Sequence, residues 1–164
     1  MSDPYPDLDT PALVFDLDTL ETNIAEMAAV ARDAGVRLRP HTKTHKAPDI
    51  ARMQIEAGAG GITVAKLGEA EIMVDAGLDD VLIAYPIWGT TKLARLQALM
   101  ERADIRVSLD SVEVAEGIGG TGRDLGRDVP VLVEVDTGLH AWGGSRAHRR
   151  SSWRWRWRAC PASR

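Results

Sequence analysis

A chain of 164 residues with 45% hydrophobic and 27% charged side chains has the make-up of one globular domain or of part of a larger one. No apolar run approaches the ~18 residues that span a bilayer, the acidic start Met1-Ser-Asp-Pro-Tyr-Pro-Asp7 has no signal-peptide character, and a single cysteine, Cys160, excludes an intramolecular disulfide framework or a cysteine-rich zinc site; the expected location is the cytoplasm. The net charge of −4 hides a boundary, because residues 1–140 carry 13 basic against 24 acidic side chains, a balance of −11, while the last 24 residues hold seven arginines, four of the five tryptophans and no acid.

In chain order, the first helix signal follows the apolar run Pro11-Ala-Leu-Val-Phe-Asp-Leu17. Asp18 with Glu21 three residues on reads as a capping box. Leu20, Ile24, Met27, Ala28, Ala31 and Ala34 then recur at helical spacing, and Gly35 ends the helix. Strand-like runs follow at Val36 to Arg39, Gly61 to Ala65, Val81 to Tyr85, Ile105 to Leu109 and Val129 to Val135. Between them, helices are expected at Pro48 to Ala57, closed by Gly58, at Leu67 to Ala76, closed by Gly77, and at Thr91 to Ala103. A glycine-rich fourth connection spans Val112 to Asp128.

Strands alternating with helices argue for parallel pairing through right-handed crossovers, hence an α/β barrel or a doubly wound sheet. There is no Gly-x-Gly-x-x-Gly after the first strand and no Gly-x-x-x-x-Gly-Lys-Ser/Thr, so dinucleotide and P-loop readings lose their main support. The expectation is a partial (β/α)8 barrel with about five strands in residues 1–140, since a whole one takes roughly 250 residues. An unclosed parallel sheet would leave bare edges and expose the chain to aggregation.

Functional groups of such barrels gather at the C-terminal ends of the strands. Arg39-Pro-His-Thr-Lys-Thr-His-Lys46 is expected there, with five cationic or potentially cationic side chains: Arg39, His41, Lys43, His45 and Lys46. Crowding among cations disfavours each charge, and a lysine so placed offers the neutral amine that Schiff-base formation needs. A basic surface loop is the plain alternative. A metal pair at His41 and His45 is disfavoured, because Pro40 and a strand end argue against the helix that would put both on one face. Tyr85 is expected to pack rather than to catalyse. Thr63 and Lys66 flank the end of the second expected strand, with Lys66 facing solvent.

Four runs taken together, Arg39-Pro-His-Thr-Lys-Thr-His-Lys-Ala-Pro48, Gly61-Ile-Thr-Val-Ala65 with Leu67-Gly-Glu-Ala-Glu71, Asp80-Val-Leu-Ile-Ala-Tyr-Pro86 and Val135-Asp-Thr-Gly-Leu-His140, resemble the D-threonine aldolase and D-serine dehydratase-like family. The resemblance covers nearly all of residues 8–140 in order and implies the alanine racemase-type barrel. It implies that Lys43 holds pyridoxal phosphate, with Lys46 as runner-up, and that His41, Asp136 and Thr137 belong to the cofactor site, Asp136 and Thr137 ordering the barrel mouth, with a purely structural role for these two as the alternative. It further implies a lyase acting on small D-amino acids: an aldolase cleaving Cα–Cβ of 3-hydroxy-D-amino acids, or else a dehydratase, a racemase or a non-catalytic pyridoxal-phosphate-binding protein. Homodimers are implied for full-length members. A divalent metal is implied only in a C-terminal domain beyond residue 140, and no metal site is expected in this chain.

The resemblance stops at His140. Where the family has an arginine, Ala141 stands, followed by Trp142-Gly-Gly144. If each arginine is encoded by CGN, the codons for Trp153-Arg-Trp-Arg-Trp-Arg158, read from the third base, give alanine alternating with leucine, valine or methionine, which suits a barrel helix. Residues 141–164 are therefore read as an aberrant, frameshifted tail, disordered, leaving a chain inactive by itself. Stacking of the Trp and Arg side chains on bases or lipid is the rival reading; neither nucleic acid nor membrane is an expected partner.

Overall fold

The computed structural model describes residues 5–140. Helix α1, Leu17–Asp33, starts at Asp16, whose carboxylate accepts the Thr19 N–H at 2.8 Å. The cap is thus two residues earlier than the capping-box reading. Asp16 has the extended backbone a cap needs, whereas Asp18 already lies in the first turn, where its charge suits the positive end of the helix. Ala28 and Ala31 are buried, while Met27 and Val30 remain exposed.

Past Gly35 the chain runs extended to residue 42. The strand expected at Val36 to Arg39 is reduced to one parallel bridge, His41 with Thr63. The segment nonetheless lies along the sheet: Gly60 N donates to Leu38 O (2.8 Å), Thr63 N to Pro40 O (2.7 Å) and Thr42 N to Thr63 O (2.8 Å). Two features interrupt the ladder. Pro40 has no N–H to give, and the Gly60 carbonyl is taken by the side chains of Arg37 (2.8 Å) and Arg39 (3.0 Å).

The remaining elements alternate: α2 Pro48–Glu56, β1 Ile62–Val64, α3 Leu67–Asp75, β2 Asp80–Ile83, α4 Thr90–Met100, β3 Asp104–Leu109, α5 Val112–Asp124 and β4 Val131–Val133. The four strands form one sheet in sequence order, every pair parallel. With the 38–42 tract beside β1, this is the sequential arrangement of a partial (β/α)8 barrel. Helix α5 stops short of Asp128 because Gly126 adopts φ 65° and Arg127 N turns back to Gly122 O, a glycine-terminated helix end. Strand β4 is shorter than expected because β3 is its one partner among the described residues. Its Leu132 and Val133, and Val135 beyond, stay exposed.

In register, Ile62, Val81 and Ile105 form one row, and Val64, Ile83 and Val107 the next. All six are buried, packed with Leu67, Ala70 and Met73 of α3 and Leu96, Leu99 and Met100 of α4. Burial on this scale, at about 25 cal/mol per Å² of apolar surface, is the main force holding helices to sheet. Arg95 of α4 clamps Glu71 of α3 through two bonds of 2.7 and 2.6 Å. At the N-terminal end of the sheet, Asp80 receives the guanidinium groups of Arg37, Arg39 and Arg106. Among the described residues no helix is long and apolar enough to cross a membrane.

Candidate functional site

The segment that joins the extended tract to α2 is a single tight turn. Thr42 is buried and anchors it: its N–H and its hydroxyl both donate to the Thr63 carbonyl, at 2.8 and 3.2 Å. Its own carbonyl accepts the Lys46 N–H at 2.8 Å, so residues 43–45 are looped out at the C-terminal end of the tract. Lys46 leaves the turn with φ 54°, a left-handed conformation uncommon for a residue with a side chain.

The five side chains read as one cationic cluster are divided by the fold. Arg39 points to the opposite end of the sheet, where it donates to the carbonyls of Ile62 and Asp80 (both 3.2 Å) and pairs with the Asp80 carboxylate at 2.8 Å. Lys46 pairs through Nζ with Oε1 of Glu69, a buried carboxylate whose Oε2 accepts the Ala65 N–H at 2.8 Å. Burial works to raise the Glu69 pKa, but the bonds from Lys46 and Ala65 together hold it below the ordinary carboxylate value. His45 turns inward, its Nδ1 accepting the Ala47 N–H at 3.1 Å.

Lys43 and His41 remain together. The Lys43 N–H donates to His41 Nδ1 at 3.3 Å. The His41 ring is half-buried, and burial first, then the charge of Lys43, lowers its pKa. Lys43 itself is exposed, and among the described residues its amine enters no hydrogen bond or ion pair. Of the two loop lysines, one is committed and one is available.

Asp136 and Thr137 follow β4, at the same end of the sheet as the loop, and they are not in hydrogen-bonding contact with it. Asp136 organises its own turn: its carboxylate accepts the N–H groups of Gly138 (2.9 Å) and His140 (3.1 Å) and faces His140 Nδ1 at 2.7 Å. Those donors pull its pKa down to about 2. Thr137 is exposed. Tyr85 packs against the core with Lys92 Nζ 5.6 Å from its ring centre, and Lys66 lies exposed at the N-cap of α3. The Arg/Trp tail and the frame change read at Ala141 lie outside the described residues.

Glu69 was not singled out from the sequence. Its signal in the sequence is an acidic residue in a helix first turn beside Leu67 and Ala70, both buried in the structure. Thr42 carried none, since only the turn's geometry reveals its double bond to Thr63.

Residues 15–154 match the alanine racemase N-terminal domain. The chain belongs to that family. It is 42% identical over 143 residues to D-threo-3-hydroxyaspartate dehydratase of Delftia sp. (strain HT23), covering 87% of this chain and 38% of the relative. It is 41% identical over 143 residues to D-threonine aldolase of Arthrobacter sp., with the same coverage. In three dimensions it superposes on the crystal structure of D-threonine aldolase from Filomicrobium marinum with TM-score 0.80 at 43% identity, over 84% of this chain and 37% of that one. The chain thus spans under two-fifths of the length of these relatives.

The alanine racemase N-terminal family is pyridoxal-phosphate dependent. That cofactor needs an amine free to meet its aldehyde, and the 41–46 turn meets the requirement: it leaves Lys43 open to solvent while Glu69 engages the amine of Lys46. With Arg39 paired to Asp80 at the opposite end of the sheet, the cationic crowding expected from the sequence is dispersed. The residues present fit the aldehyde end of the cofactor.

Proposed function

We propose that this chain carries the lysine end of a pyridoxal-phosphate-dependent lyase that acts on 3-hydroxy-D-amino acids, with Lys43 as the amine that holds the cofactor. The observation that carries the reading is the contrast between the exposed, unengaged amine of Lys43 and the amine of Lys46, tied to buried Glu69. Bound there, pyridoxal phosphate supplies an electron sink for a bond breaking at the substrate Cα.

The chain's own residues set the stage. His41, its pKa lowered by burial, is neutral at pH 7, and its Nδ1 takes the Lys43 N–H, fixing where the lysine leaves the sheet. Thr42 locks that point to β1. Asp136, with its low pKa, stays anionic and stiffens the turn that presents Thr137 at the end of β4; both are assigned to the cofactor's surroundings.

Aldolase chemistry is the leading assignment, following D-threonine aldolase as a relative in both sequence and structure. The dehydratase, 42% identical, supplies the second: loss of the β-hydroxyl instead of Cα–Cβ cleavage. The homodimer, the cytoplasmic setting and a metal outside residues 1–140 rest on resemblance and composition alone. With β4 open along one edge among the described residues, the 164-residue chain is expected to bind the cofactor weakly and turn nothing over.

The test is an absorbance titration with pyridoxal phosphate of the chain and of Lys43→Ala, followed by product analysis on 3-hydroxy-D-amino acids. A weak band lost in Lys43→Ala, without products, supports the reading. A band unchanged by the substitution removes Lys43 from its role. Glycine with an aldehyde would establish the aldolase, and ammonia with a 2-oxo acid the dehydratase; either would overturn the expectation of inactivity.

A further inference from the structure

His45 lies two residues from Lys43 and is not used by the proposed chemistry. Its ring lines a cavity of about 280 Å³ between α1 and α2. Apart from Asn23, Thr44 and Gln54, the walls are apolar, with Phe15, Leu20 and Ile24 on the α1 side. No charged side chain lines the cavity from α1, the 38–40 tract or α2 among the described residues.

The hydrogen bonding of the ring fixes its tautomer. Nδ1 accepts the Ala47 N–H, so in the neutral imidazole the proton sits on Nε2. That Nε2 is buried without a hydrogen-bond partner among the described residues, and so is Oε1 of Gln54 on α2. One is a donor in need of an acceptor and the other an acceptor in need of a donor, in the same cavity. Leaving either unmade would cost the full desolvation of a buried polar group. Burial, the largest influence, lowers the pKa of His45, and Gln54 works against it, which places the amide beside the ring.

We propose that His45 is a positioning residue for Lys43, its Nε2–H joined to Gln54 Oε1 directly or through one water, so that the lysine turn is pinned to α2. The pin completes the turn: Thr42 holds its start to β1, Lys46 its exit to Glu69, and His45 its middle to the helix behind. Lys43 is then the one side chain of the 42–46 turn, Thr44 apart, that projects from it without an anchor. The inference rests on the assignment of Lys43 as the cofactor amine.

Two measurements on the full chain test it. Ring 15N shifts of His45, assigned by the signal lost in His45→Asn, should show the Nε2–H tautomer at pH 7.5. In Gln54→Glu the His45 titration midpoint should move upward, as a carboxylate acceptor stabilises the charged ring. An Nδ1–H tautomer, or a midpoint indifferent to Gln54→Glu, overturns the proposal. In the second, lysines are labelled with pyridoxal phosphate and borohydride and located by mass spectrometry, with exposed Lys92 as internal reference. Gln54→Leu and His45→Asn should lower the Lys43-to-Lys92 labelling ratio about tenfold, the scale of a misplaced reacting group, and Gln54→Glu should restore it. A ratio unchanged in all three variants overturns the positioning role, since a purely structural defect would expose both lysines alike. If wild-type Lys43 labels no faster than Lys92, the assignment of the cofactor amine fails, and the nitrogen shifts still decide the His45 contact.

Discussion

The amine of Lys46, whose side chain is more than half exposed, reaches Glu69, whose side chain is 8% exposed, so a surface cation neutralises an interior carboxylate. The pair ties the end of the lysine turn to the first turn of α3, and the second oxygen of Glu69 ties α3 to the end of β1 through Ala65. Lys46→Ala would leave that carboxylate buried without its cation. The exposure of Lys46 moderates the loss, which we expect at about 1–2 kcal/mol, between surface and interior ion pairs. Urea denaturation of Lys46→Ala and Lys46→Arg would measure it, with Arg recovering most of the stability. Equal stability of Lys46→Ala and wild type would mean that Glu69 is satisfied by Ala65 alone.

Acidification should loosen the same region. His41 and His45 have pKa values lowered from 6.5, in each case by burial first. The unfolded state therefore takes up protons at higher pH than the folded state. The stability these rings contribute is whole above pH 6.5 and declines as pH falls from 6.5 through their folded values. Denaturation midpoints at pH 7.5 and 5.5 should differ in that direction, and the difference should shrink in the double variant His41→Asn with His45→Gln. Asp136 adds a separate window: its turn persists until pH falls toward about 2.

Asp80 gathers three arginines at the N-terminal end of the sheet, and Arg39 passes so close to Gly61 that a Cβ there would overlap its guanidinium. Asp80→Ala leaves the partly buried Arg39 and Arg106 without this shared acceptor and should cost about 2–4 kcal/mol, as breaking a partly buried network does. Gly61→Ala should also destabilise, by displacing Arg39 and by requiring φ 130° of a residue with a side chain. Thermal unfolding of the two variants and their combination would show less than additive losses if both act through Arg39.

Among the described residues β4 is an edge strand that exposes Leu132 and Val133, each above 40%, and the unpaired backbone of such an edge invites edge-to-edge association. Leu132→Lys with Val133→Lys should lower the light scattering of concentrated solutions without moving the pyridoxal-phosphate titration. Scattering as strong as wild type would place the sticky surface elsewhere.

The sequence made the sheet and its helices legible because Val81 to Ile83 is a short apolar run, Ile105 to Leu109 places an apolar residue at every second position, and the helices before β1, β2 and β4 close at Gly58, Gly77 and Gly126. It misplaced the first strand because Val36 to Arg39 has strand character, while pairing is decided by Pro40 and by arginine side chains that occupy the Gly60 carbonyl, neither of which shows in a hydropathy pattern. It gathered Arg39, Lys43 and Lys46 into one cluster because they are close in sequence. A strand and a tight turn send them in different directions, and their carboxylate partners, Asp80 and Glu69, lie 41 and 23 residues away.

On the reading proposed above, Lys43, and not Lys46, is the amine offered to pyridoxal phosphate. Reductive labelling of the wild-type chain at limiting pyridoxal phosphate, followed by peptide mapping, tests it most directly. The label should concentrate on Lys43, and Lys46 should stay unmodified until Glu69→Gln frees it. Label on Lys46 in the wild-type chain, or spread evenly over Lys43, Lys66 and Lys92, would contradict it.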